Sequence, residues 1–191
     1  MVNPYIEETT FEKIDYTQQP LPKGEYERCT FRNCDFSGSQ LSEIRFAECS
    51  FFDCNLSLAK ITKTAFQEVR FKDCKLMGLH FETCQGFGLA MGFDHCTLDH
   101  SSFYQQKLKK THFKNSKLHE VDFTDTDLNH AVFENCDLFR AAFENTNLEK
   151  ADFRTSFNFS IDPEINRMKK ARFSQAGLAG LLLKYDLEVE E

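Results

Sequence analysis

The chain has 191 residues, with 23 Lys and Arg against 30 Asp and Glu, and a formal net charge of -7. That length fits one domain, the negative balance disfavours direct nucleic-acid binding, and no apolar run nears the ~20 residues of a membrane-spanning helix. No basic segment followed by an apolar stretch opens the chain as a secretory signal would, so a cytoplasmic location is expected.

Residues 1–10 (MVNPYIEETT) show no pattern and read as an N-terminal arm. Phe11, Tyr16, Leu21 and Tyr26 then fall five apart, although Pro20, Pro22 and Gly24 make this stretch irregular. From Cys29 the pattern is firm. Large apolar residues stand at Phe31, Phe36, Leu41, Phe46, Phe51, Leu56, Ile61, Phe66, Phe71, Leu76 and Phe81. It slips in QGFGLAMGF, where Phe81 to Phe93 spans twelve residues, two more than two units of five, and Gly86, Gly88 and Gly92 supply permissive backbone. A kink within residues 85–92 is the favoured reading, and a protruding recognition loop around Phe87 is the alternative.

From Phe93 the pattern resumes through Leu98, Phe103, Leu108, Phe113 and Leu118. It then runs unbroken over residues 121–155, with Phe and Leu alternating from Phe123 to Phe153 and a small residue two places before each. FNFSIDPEINRMKK departs from it, yet Phe173 follows Phe153 by twenty, so one more turn with an irregular side is expected. In residues 174–191, Ser174 is a candidate N-cap. Leu178, Leu181, Leu182 and Tyr185 follow at helical spacing, and Leu187 and Val189 alternate with charges like a brief strand. This end is read as a cap over the last turn and as a dimerisation surface.

A period of five suits neither the 3.6 of a helix nor the 2 of a strand, so the repeat itself sets the fold. Four units closing one square turn put two residues in five inside and bring residue n beside n+20. Charges support that count: Lys107 falls on Asp127, Lys117 on Asp137, and Lys114 on Glu134, itself below Arg154. The repeat, A(D/N)LXX in idealised form, resembles the pentapeptide-repeat family from about Phe31 to Leu178. That resemblance implies an all-β, right-handed quadrilateral β-helix. Its span here is set at residues 11–173, about seven coils, closed by the C-terminal helix.

Residues 24–41, GEYERCTFRNCDFSGSQL, and the helix-strand end are similar to the Qnr-type quinolone-resistance branch of that family. This resemblance implies a dimeric rod that binds DNA gyrase and topoisomerase IV as an acidic DNA mimic and relieves quinolone inhibition. The branch carries larger loops that matter for protecting gyrase, where this chain offers two extra residues near Phe87.

Eight Cys all occupy the small slot two before a large residue, which reads as packing rather than disulfide or metal chemistry. The six His fall at outward places without a ligand set. No nucleophile elbow, P-loop or dinucleotide fingerprint is present, so neither catalysis nor a cofactor is expected. The candidate partner-binding residues are Glu120, Asp122, Asp125, Asp127, Glu134, Asp137, Glu144, Glu149 and Asp152, which face only Arg140 and Lys150 within residues 120–152. Spread over the whole rod, charge is one per roughly 5 Å against about 1.7 Å in duplex DNA. Only this segment approaches a DNA-like field, and Lys107, Lys109, Lys110, Lys114 and Lys117 beneath partly offset it. The rival reading is a scaffold with an unrelated protein partner. Phe52, Leu58, Met77, Tyr104 and Phe139 fall at outward places, and of these Leu58 and Met77, close by the twenty-residue count, with Phe52 on the adjoining side, suggest a small apolar contact patch.

Overall fold

The computed structural model describes residues 4–187. The chain winds as an all-β solenoid of square cross-section, the right-handed quadrilateral β-helix expected from the repeat. Eleven short strands are regular: β1 (Tyr5–Glu7), β2 (Thr10–Glu12), β3 (Glu25–Glu27), β4 (Thr30–Arg32), β5 (Arg45–Ala47), β6 (Ser50–Phe52), β7 (Ala65–Gln67), β8 (Val69–Lys72), β9 (Met91–Asp94), β10 (His112–Lys114) and β11 (Val132–Glu134). All pairing is parallel. The first wall stacks β1, β3, β5 and β7, and the second stacks β2, β4, β6, β8, β9, β10 and β11. Single bridges build the third wall, through Asp35, Asn55, Lys75, Thr97, Lys117 and Asp137, and the fourth, through His80, Ser102, Asp122 and Ala142.

Pairing follows n and n+20, as in Phe31 with Phe51 and Phe113 with Phe133. Across the glycine-rich slip the step becomes twenty-two, as in Phe71 with Phe93 and Lys75 with Thr97. The excess sits between Gln85, whose amide still donates to Thr64 O, and Ala90, whose amide donates to Phe66 O. The kink reading holds for the backbone, since the stack continues across it.

The interior is a set of side-chain ladders. On the second wall nine phenylalanines, from Phe11 to Phe173, stack without interruption, with centroids 4.6 to 5.5 Å apart. On the fourth wall Phe81, Phe103, Phe123 and Phe143 stack likewise. The two ladders meet edge to face across the middle, as in Phe103 and Phe113 at 6.1 Å. Such geometry suits the ring quadrupoles. The other two walls carry aromatics in their N-terminal half, Tyr26, Phe46 and Phe66 on the first and Tyr16 and Phe36 on the third, and leucines such as the fully buried Leu118 and Leu128 further on.

Corners repeat as well. The residue two after each large one takes a left-handed φ, at Asn33, Glu48, Asn115, Asn135 and their equivalents. Asn, Asp and Gly tolerate this region best, which explains the polar corners. At the place before the large residue, Asp or Asn accepts a hydrogen bond from the amide two residues on, as Asp35 from Ser37 and Asp127 from Asn129. These Asx turns fix the direction of the chain into the next wall.

Three expectations are corrected. Residues 1–10 are not an unpatterned arm, because Tyr5–Glu7 and Thr10–Glu12 already pair with the next coil. Ile6 occupies the large slot and Pro4 O receives the Glu25 amide. The C-terminal segment is not an α-helix but two 3-10 helices, Ala176–Leu181 and Leu183–Tyr185. Gly177 and Gly180 are poor α-helix formers, and Gly180 lies so close to Phe159 that an added Cβ would stand 2.4 Å from its carbonyl oxygen. The N-cap position falls to Gln175, which gives no side-chain cap, rather than to Ser174; Ser174, one residue earlier, accepts at Oγ from the Gly177 amide. Of the brief strand expected at Leu187 and Val189, Leu187 is exposed and lies in no strand, and Val189 lies outside the described residues.

The charge ladders are in the expected register, but three of the four expected pairings differ. Lys107 sits beside Asp127 in the backbone, yet Lys109 Nζ makes the contact, at 3.2 Å. Lys117 pairs downward with Asp99 at 3.1 Å, leaving Asp137 to His119 at 2.8 Å. Lys114 does pair with Glu134 at 3.3 Å, while Arg154 turns to Asp152 at 2.7 Å. Long side chains reach along a wall as easily as across coils.

Candidate functional site

The nine carboxylates do not form one wall. Asp122 and Glu144 lie on the fourth wall, Asp125 at its far corner, and Glu120 at its near corner. Asp127 and Glu149 belong to the first wall, Glu134 and Asp152 to the second, and Asp137 to the third. The place of each residue within its unit of five determines the wall. Counting charges along the chain, without sorting them by that place, merges all four sides.

Most are also neutralised. Glu120 lies 3.5 Å from His100 and 4.0 Å from Arg140. Glu134 is shared by Lys114 and His112, both at 3.3 Å, and Glu149 meets Arg167 at 3.1 Å. Asp152 is held by Arg154 and Arg172. The hydrogen bond from Arg154 keeps the Asp152 carboxyl below its usual range, against the opposing effect of partial burial. For Asp137, partial burial works upward, but contacts with His119 and the Asn158 amide outweigh it and leave the carboxyl lowered.

What remains is smaller and better defined. Among the described residues Asp122, Asp125 and Glu144 form no ion pair. They are neighbours: the Asp125 amide donates to Glu144 O at 2.8 Å, and Asp122 Oδ1 accepts from the Thr124 amide at 2.9 Å in the same turn. The fourth wall therefore carries an uncompensated anionic patch of three carboxylates. Its chemistry is that of a locally negative surface.

Phe87 stands at the tip of the insertion and is 83 % exposed, while Leu89 turns back onto the core. Leu58 and Met77 do adjoin, the Leu58 amide donating to Met77 O at 2.9 Å. Phe52 lies on the second wall with the Arg32 guanidinium 4.4 Å over its ring, apart from them. At the C-terminal end Leu178, Leu182, Tyr185 and Leu187 are exposed, but Leu181 packs inward against the core. A groove of about 360 Å³ runs beside them, lined by Phe139, Phe157, Phe159 and Leu183 among others.

All eight cysteines are free and buried. Burial pushes the Cys49 and Cys136 thiols up to about 12, so they act as small apolar groups rather than nucleophiles. Among the described residues no group of His, Cys, Asp and Glu has the geometry to hold a metal ion, and no helix is long and apolar enough to cross a membrane.

Comparison with solved structures adds the relatives. The fold matches a trypsin-treated form of QnrB1, described as a plasmid-mediated fluoroquinolone resistance protein, with a TM-score of 0.77 at 13% identity. That match covers 100% of this chain and 93% of the other. A second trypsin-treated QnrB1 gives 0.64 at 15% identity over 99% of both chains. At such identities the likeness is one of fold. No curated protein sequence matches the chain. A family model described as a pentapeptide repeat region matches residues 25–86 and 89–157, omitting only Phe87 and Gly88 at the insertion tip between them. With the repeat, the square coil and this match in agreement, the chain belongs to the pentapeptide-repeat family.

Proposed function

We propose that the protein is a non-catalytic binding protein that engages a type II topoisomerase, DNA gyrase or topoisomerase IV, as an acidic DNA mimic and so modulates quinolone sensitivity. The observation that carries this reading is the unpaired trio Asp122, Asp125 and Glu144 on the fourth wall of a solenoid. Full-length likeness to the fold of a fluoroquinolone resistance protein supports it. The contact would run through the fourth wall, with Phe87 as an apolar anchor beside the rod and a homodimer joined at the C-terminal end. The ion pairs on the other walls favour a second reading, a scaffold whose charges serve its own solubility and register.

A supercoiling assay with purified gyrase, with and without a quinolone, separates them. Wild-type protein is expected to inhibit supercoiling or to restore it in the presence of drug. Joint Asp122→Asn, Asp125→Asn and Glu144→Gln substitution should weaken that effect at least tenfold, since each amide keeps shape while losing charge. Asn also preserves the Asx turn at Asp122, so the fold is retained. Wild-type protein without effect at large molar excess over gyrase would reject the topoisomerase reading and leave the scaffold.

A further inference from the structure

The second wall, opposite the anionic patch, carries a feature that charge counting along the chain does not reveal. Its outward residues form two adjacent columns. One runs Ser50, Arg70, Gly92, His112, and the other Phe52, Lys72, Asp94, Lys114. Gly92 interrupts the first column: an added Cβ there would meet nothing within 4 Å. The missing side chain opens a notch of about 470 Å³ between Arg70 below and His112 above, with Lys72, Asp94 and Lys114 on its flank and Phe52 at its lower end.

The cations around this notch outnumber the acids that reach it. Glu134 binds Lys114 and His112 from the coil above. Asp94 is drawn toward the corner, its Oδ1 2.9 Å from His95 Nδ1 and accepting from Asn115 Nδ2. Glu48 and Glu68 line a separate small cleft beside Arg70 but lie outside ion-pair distance of it. Arg70 and Lys72 thus have no ion-pair partner among the described residues, in a chain whose net charge is -7.

We propose that this notch is a binding site for a phosphate-type oxyanion, held in the space that Gly92 leaves open by Arg70 and Lys72, the two unpaired cations, with Lys114, shared with Glu134, at its edge. The planar guanidinium of Arg70 presents paired donors that match tetrahedral oxyanions, and the ammonium groups supply point charges. Phe52 offers a ring surface to a ligand whose phosphate carries an aromatic base. The shared chemistry is the phosphoryl group, either free or on a nucleotide. This site is independent of topoisomerase engagement, lying on a different wall with opposite charge.

Titration of the full chain with inorganic phosphate and with adenosine monophosphate tests it, followed by calorimetry and by amide chemical shifts. Saturable binding is expected, with shifts centred on Gly92 and Phe93. Arg70→Ala should weaken it about tenfold, the loss of one charge-assisted contact. Gly92→Val, which keeps every cation but places a branched side chain on the floor of the notch between Arg70 and His112, should weaken it at least as much. Valine already occupies the same column at Val132, so the fold accepts it. Tighter binding of the nucleotide that falls to the phosphate value in Phe52→Ala identifies a nucleotide ligand, and equal affinities identify free phosphate. Absence of saturable binding of both probes, or binding unchanged by Gly92→Val and Arg70→Ala, overturns the proposal.

Discussion

Two single-residue requirements repeat along the chain: a large side chain that fills the interior and a left-handed corner two residues later. Phe113 meets the first in full, with rings stacked at 5.1 Å below and 4.9 Å above and Phe103 and Phe123 edge-on across the core. Phe113→Ala should cost about 3–5 kcal/mol, measured as a shift in the urea midpoint. Phe11, only partly buried at the end of the same ladder, should cost clearly less when truncated. Equal losses would mean that the ladder does not distribute stability as its burial implies. The large and small slots were legible in the sequence because hydrophobicity marks them. The corners were not, because Asn115, Glu120 and Lys110 share only a backbone angle. The repeating Asp before each large residue was legible as charge but not as turn chemistry. Asp122, Asp127, Asp137 and Asp152 each accept an amide two residues on. Their recurrence thus reflects the fold before any partner.

Among the elements, the C-terminal 3-10 pair is tied to the irregular side of the last coil by one cation. Lys184 Nζ lies 2.8 Å from Asp162 and 2.6 Å from Glu164, and the Tyr185 hydroxyl donates to Glu164 at 2.8 Å. Hydrogen bonding from Lys184 lowers both carboxyls, helped at Glu164 by Tyr185, and the same contacts raise Lys184 so that it stays cationic throughout. A carboxyl lowered in the folded state stabilises above its ordinary value and loses that contribution as pH falls through the lowered one. The clasp should therefore hold at neutral pH and open in acid. Hydrogen exchange at the Leu182 and Tyr185 amides should quicken, relative to the intrinsic rate, as pH falls below the ordinary carboxyl range of about 4. Lys184→Met should remove most of that dependence, leaving the part that Tyr185 supplies at Glu164. Protection that stays flat with pH in the wild type would show that Phe159 packing alone holds the segment. Helical spacing of leucines suggested this element, but only the closeness of Gly180 to Phe159 explains its tighter winding.

For the whole molecule the decisive quantity is length. Nine stacked phenylalanines at about 4.8 Å per coil make a rod of roughly 38 Å. Joining two copies about a two-fold axis at the C-terminal ends would roughly double it while repeating the Asp122, Asp125 and Glu144 patch on each arm. The surface for such a join is present: Leu178, Leu182, Leu183 and Leu187 are exposed beside the groove that Phe139 and Phe157 line. Exposed leucines clustered at one end suit association better than solvent. Sedimentation velocity of the wild type should then give twice the chain mass of 22.2 kDa. Leu182→Glu together with Leu183→Glu should give the single mass, with the melting temperature of the solenoid little changed because neither side chain is buried. If gyrase engagement needs the long rod, the same variant should lose it while keeping every carboxylate. A wild type that sediments as a monomer at all concentrations would remove the dimer, and any topoisomerase effect would then have to act through a single short arm.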